Sequence, residues 1–230
     1  MMNKFKTVIL TLMTLVLSAC GSTPQPTIEL QSQLLNQEKR VGIYVTEIEA
    51  PTTSIFGASC LLCYGVAAAA NSSLDKHLES LPSSDLASTK EIIYEGYKKQ
   101  TNAIKFIELD SKTLKNLKKF KGGLGFAKKD FRTLKEKNNI DVLVVLQYWA
   151  HGAYRSYQGY IPTSDPQGYV AGIVYSVDLE DNKYLQYQEL DKKVVVSGEW
   201  DEPKQQFPGV TNAYYQAIEQ AKVSLEKIFL

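Results

Sequence analysis

Two different hydrophobic patterns divide the chain. The first six residues carry Lys4 and Lys6 and no acid, and residues 7–17 then pass without a charge, a glycine or a proline. That run is too short to cross a hydrocarbon layer of roughly 30 Å as a helix, which takes ~20 residues. A cationic start followed by a short apolar core is the layout of a secretory signal. Residues 21–37 are polar, include Pro24 and Pro26, and read as a tether.

After the tether the spacing becomes that of a folded domain. Residues 41–45 (VGIYV) predict a first strand, ended by Ala50-Pro51. Residues 55–70 are uncharged and continue through Leu74, Leu78 and Leu81, which share one helical face. The expectation is a helix or helix pair over 59–81 whose first half is deeply buried. Ser88 and Glu91 match a capping box, with Ile92, Ile93 and Tyr97 as the inner face of the helix it opens. A second strand is expected over 103–109, followed by a Lys-rich stretch ending at Gly122-Gly123.

Ala127, Phe131 and Leu134 lie at helical spacing, with Asn138-Asn139 as the stop. Residues 140–146 (IDVLVVL) form the near-continuous apolar run that a strand covered on both faces needs. That strand continues through Tyr148-Trp149. Residues 169–179 alternate, Asp181-Asn182 signals a turn, and 184–189 and 193–200 supply the return. A closing amphipathic helix over 210–229 places Tyr214, Ala217, Ile218, Ala221, Leu225 and Ile228 on one stripe.

Leu17-Ser18-Ala19-Cys20 resembles the lipobox of bacterial lipoproteins. The resemblance implies a signal peptide over 1–19, diacylglycerol on the Cys20 thiol, cleavage ahead of it and acylation of the new amino group. Several acyl chains together anchor stably, where one binds only marginally. The absence of Asp directly after Cys20 implies, by the same resemblance, transport to the outer membrane. The expected organisation is a lipidated N-terminus and flexible tether over 20–38 and a single periplasmic domain over 39–230.

The order of elements is similar to a group of periplasmic modules: the N-terminal domain of the Tol-system β-propeller protein, the curli-secretion lipoprotein and the penicillin-binding-protein activator lipoproteins. Residues 41–45, 103–109 and above all 126–147 carry the likeness, the last as a helix, a polar turn with Asp141 and an aliphatic strand. The likeness implies an α/β fold (an α+β sandwich): a mixed central sheet with helices packed on it and a long C-terminal β-hairpin followed by a helix. Gln147-Tyr148-Trp149 stands where many members have a glycine, and fold likeness alone brings no activity with it.

Composition narrows the classes. Without Lys4 and Lys6, 24 basic residues face 25 acidic ones, so nothing suggests a nucleic-acid binder. The hydrophobic share of 44% suits a domain that buries a core. Cys60-Leu61-Leu62-Cys63 is the one C-x-x-C pair. Its apolar neighbours would raise a thiol pKa, so a buried disulfide or two packed thiols is expected rather than a redox site. The two histidines, His77 and His151, are too few for a zinc centre with that pair and lack a nucleophile setting. Both are expected at the surface. Gly122-Gly123-Leu124-Gly125 lacks the ending of a phosphate loop, and Asp178, Glu180 and Asp181 fit a turn better than paired catalytic acids. No cofactor, metal or catalytic set is expected.

Tyr148, Trp149, Tyr154, Arg155, Tyr157 and Tyr160 make the densest aromatic cluster, a candidate surface for a protein partner or a glycan. The combined expectation is a non-enzymatic structural, assembly or accessory lipoprotein of the envelope. It would be held to the membrane through Cys20 and would bind a protein partner or itself. A glycan-binding module and a redox protein using Cys60 and Cys63 are the alternatives.

Overall fold

The computed structural model describes residues 23–35 and 37–230. Cys20 and the signal peptide expected over 1–19 therefore lie outside the described residues. The α/β architecture expected from the sequence is present: the described residues form seven strands in one mixed sheet, with helices on it.

The strands are β1 (Arg40–Val45), β2 (Thr52–Phe56), β3 (Ala103–Phe106), β4 (Val142–Gln158), β5 (Ile161–Pro162), β6 (Gln167–Asp178) and β7 (Tyr184–Val195). Along the sheet the order is β3-β1-β4-β6-β7. β1 pairs parallel with β3 and with the first part of β4. β2 pairs parallel with the later part of β4, Thr52 opposite Gly152. β4, β6 and β7 form an antiparallel meander. The helices are α1 (Leu61–Glu79), α2 (Ser84–Ala87), α3 (Thr89–Lys98), α4 (Ser111–Asn116), α5 (Leu134–Asn138) and α6 (Pro208–Glu226).

β4 is buried on both faces over its first half because its side chains alternate between two cores. Val142, Val144, Leu146 and Tyr148 meet α3 and α6, whereas Leu143 and Val145 meet Phe131, Leu134 and Leu179. Ile218 and Leu225 on α6 have no exposed surface, and each such aliphatic side chain contributes about 1.5–3 kcal/mol. α6 lies hard on β6 at Gly168, where a Cβ would come within 2.0 Å of the Ala213 carbonyl oxygen. Gly152, at φ +116°, lets β4 pass the Thr52 backbone, and any side chain there would clash with it.

The base of the sheet is tied by Arg40, which donates from Nε to Asp141 Oδ2 and from Nη2 to Asp141 Oδ1, both at 2.8 Å. That pairing holds the Asp141 carboxyl down at about 2, chiefly through the Arg40 hydrogen bond.

Several local expectations give way to tertiary contacts. The first half of α1 is exposed rather than buried: Leu61 is 91% and Leu62 77% exposed, and burial begins at Ala67, Asn71, Leu74 and Leu78. Its later turns have a surface to cover, Leu74 and Leu78 packing with Ala153, Phe207 and Val210. The Ser88–Glu91 capping box does not form. Ser88 is itself helical because α2 runs into α3, and its hydroxyl donates back to the Asp85 carbonyl.

The helix expected from Ala127 shrinks to α5. Asn182 Nδ2 donates to the Ala127 and Lys129 carbonyls, and Asn182 Oδ1 accepts from Phe131 N–H. Those backbone groups are therefore not available for helical bonds. The return expected over 184–189 and 193–200 is a single strand, β7, which ends at Val195. In the tether, residues 28–31 are docked, with Ile28 exchanging two backbone bonds with Tyr187 and Gln31 donating to Leu185. An edge strand offers unpaired backbone groups, and β7 finds a partner this way.

Candidate functional site

The aromatic cluster read from residues 148–160 is divided by the strand that carries it. A bulge between Tyr148 and Ala150 interrupts the alternation of β4. Tyr148 turns to the helices, is 7% exposed and donates its hydroxyl to Thr89 Oγ1 at 2.9 Å. Its hydroxyl pKa is pushed up to about 12 by burial. Trp149 stands on the opposite, open face and is 55% exposed.

Arg155 and Tyr157 are buried against α1. Arg155 Nη1 donates to Asn71 Oδ1 at 2.9 Å, its Nε donates to the Ser164 carbonyl, and its guanidinium lies 4.4 Å from the Trp200 ring centre. Asn71 Nδ2 donates in turn to the Tyr157 hydroxyl at 2.7 Å. This is an internal pin between β4 and α1. Tyr154 is half-buried, stacked 4.7 Å from Phe56 and edge-on to Tyr169. Tyr160 is exposed at the tip of the β4–β5 turn. The six residues do not form one surface.

The histidines are more enclosed than expected. His151 sits mid-strand because β4 runs on to Gln158. Its Nδ1 lies 2.8 Å from the Tyr214 hydroxyl and its Nε2 2.8 Å from the Glu49 carbonyl. A carbonyl only accepts, so Nε2 carries the proton and Nδ1 accepts from Tyr214. Burial is the main cause lowering the His151 pKa. His77 is half-buried, with Nε2 2.7 Å from Thr211 Oγ1.

The structure gathers a different group at the far end of β4. No charged residue lies between Glu49 and Asp75. Phe56, Leu61, Leu62, Tyr64 and Val66 from that stretch are all exposed. They are joined there by Tyr160 and Ile161 of the β4–β5 turn, and a Cβ on Gly159 would lie 4.0 Å from Cys63 Sγ. Cys60 and Cys63 are disulfide-bonded within this apolar end. The pair is not buried. Cys60 is the N-cap of α1, its sulfur accepting from Cys63 N–H. The uncharged composition of residues 55–70 was the available signal for this end, but burial and exposure of such a run look alike in one sequence.

Among the described residues there is no group of three or more metal-type side chains, and no helix is long and apolar enough to cross a membrane. No protein-family model and no curated protein matches the chain. Solved structures that resemble it include PelC from Paraburkholderia phytofirmans, a dodecamer, at 7% identity and a TM-score of 0.38, covering 89% of this chain and 95% of that one. A DUF330 protein from Xanthomonas campestris matches at 10% identity and 0.35, covering 90% and 88%. Lipoprotein GNA1162 from Neisseria meningitidis matches at 13% and 0.27, covering 78% and 99%. At these scores the reading of function rests on the chain's own residues.

Proposed function

We propose that this chain is a lipid-anchored, non-enzymatic accessory or assembly factor of the bacterial envelope. In this reading it is processed ahead of Cys20, held in the outer membrane and faces the periplasm. It works by gripping a protein partner or a second copy of itself. The observation that carries the reading is the exposed apolar end, with Leu61 91% and Leu62 77% open to solvent beside Tyr160 and Ile161. Contiguous apolar patches on soluble domains mark interaction sites, because leaving them in water is costly. The lipobox-like start supplies the anchor.

The test uses the full-length protein extracted in mild detergent from its native envelope. The wild type is expected to crosslink into a species larger than a monomer. Leu61→Asp/Leu62→Asp should abolish that species while leaving the melting temperature in place, since both side chains are already exposed. Cys20→Ser should release the protein from the membrane fraction. A wild-type monomer with no crosslinked neighbour, or a complex untouched by the double variant, would overturn the reading.

A second reading is thiol–disulfide exchange, favoured by one observation: the disulfide is exposed at the N-terminus of a 19-residue helix, where the helix dipole favours a thiolate. If mild dithiothreitol opens and air recloses the bond without unfolding, that reading stands. Sulfurs inert until denaturation exclude it.

A further inference from the structure

The open face of the sheet, on which Trp149 stands, holds a cleft. Gln147 and Trp149 of β4, Ile173 and Tyr175 of β6, and Tyr187 and Glu189 of β7 form its floor, and the loop between α4 and α5 stands over them. Its volume is about 780 Å³, within the ~300–1,000 Å³ typical of small-molecule sites.

Strand register lays out the floor. Gln147 lies beside Ile173 and Ile173 beside Glu189, while Val145, Tyr175 and Tyr187 form the next row. Tyr184 packs edge to face with Tyr175 at 5.6 Å and with Tyr187 at 4.9 Å between centroids, and Tyr175 and Tyr187 stack at 6.4 Å. Trp149 shares the face of Gln147, two residues before it, and lines the cleft. Two polar groups stand among the aromatics. Gln147 is exposed, and Glu189 accepts from the Tyr187 hydroxyl at 3.0 Å with its second oxygen left over.

The wall carries the charge. Among the described residues that line it, Lys119, Lys128 and Lys129 face a single acid, Glu189, and all three lysines are exposed. Lys129 is held on the rim by its bond to the Leu114 carbonyl.

We infer that this cleft binds an oligosaccharide bearing carboxylate groups, of the uronic-acid kind. The aliphatic face of a sugar ring stacks on an exposed indole, whose flat apolar surface is costly to leave in water. Sugar hydroxyls, which both donate and accept, match an amide and a carboxylate that stand on the two sides of Ile173. Ring carboxylates complement three lysines, a charge excess that a neutral glycan would leave unused. A purely apolar ligand would leave the Gln147 amide and the second oxygen of Glu189 unmatched.

The experiment titrates full-length protein in detergent micelles with trigalacturonate, maltotriose and triglutamate, reading indole fluorescence and heat. Trigalacturonate should bind and quench, with affinity falling as salt rises. Maltotriose and triglutamate should each bind at least about tenfold more weakly. Trp149→Ala should weaken trigalacturonate at least about tenfold with an unchanged melting temperature. Lys128→Gln/Lys129→Gln should remove the preference over maltotriose. Leu61→Asp/Leu62→Asp should bind as wild type, which separates the cleft from the apolar end. The inference is overturned by absence of binding at millimolar trigalacturonate, by equal binding of maltotriose or triglutamate, or by affinity that Trp149→Ala does not move.

Discussion

Replacing Asn182 by alanine should loosen the cover of the second core. Asn182 has no exposed surface and sits at φ +67° in the turn after β6. Its amide makes three bonds to one loop: to the Ala127 carbonyl at 3.1 Å, to the Lys129 carbonyl at 3.0 Å, and from Phe131 N–H at 2.9 Å. Ala127 and Phe131 are buried, so water does not readily replace the lost partner. Each bond is worth about 1 kcal/mol net, giving a loss of about 3 kcal/mol. The left-handed backbone adds about 1 kcal/mol for alanine but not for glycine. Asn182→Ala should therefore lose about 4 kcal/mol and Asn182→Gly about 3 kcal/mol. In urea, with a slope of about 2–3 kcal/mol per molar, the midpoint should fall by about 1–2 M. A midpoint shift below about 0.3 M in both variants would refute the claim that this side chain organises residues 127–131.

Two pH effects follow from the same geometry. His151 is held neutral, with its folded pKa lowered mainly by burial, so its contribution is complete above the unfolded value of ~6.5 and is lost as pH falls below it. Melting temperature should drop between about pH 7 and 5, and less steeply in His151→Gln; equal slopes would disprove the assignment. Asp141, held down at about 2 by Arg40, contributes stability above the ordinary carboxylate value that disappears as pH falls through about 2. Asp141→Asn should flatten the acid limb of the stability curve, and an acid limb identical to wild type would show that the pair is not coupled to folding.

Much of the framework was legible because a side chain's local period reports its environment. The near-continuous apolar run IDVLVVL announced a strand with a core on each side, and the stripe from Tyr214 to Leu225 announced the helix covering it. The candidate surface was not legible. Residues 148–160 look like one aromatic patch in the sequence, yet strand alternation and a single bulge send Tyr148, Arg155 and Tyr157 to one side and Trp149 to the other. Likewise His151 looked terminal only because the length of β4 depends on β2 and β6 pairing along it.

The sequence by itself determined the order of most elements and the two-faced character of β4, since these depend on neighbours a few residues apart. Tertiary structure alone decided that the uncharged start of α1 faces solvent, that Asn182 unmakes a helix fifty residues away, and that three lysines stand over an aromatic floor. Each of these is set by groups distant in the chain competing for the same surface or the same backbone hydrogen bond, and no local pattern records who wins.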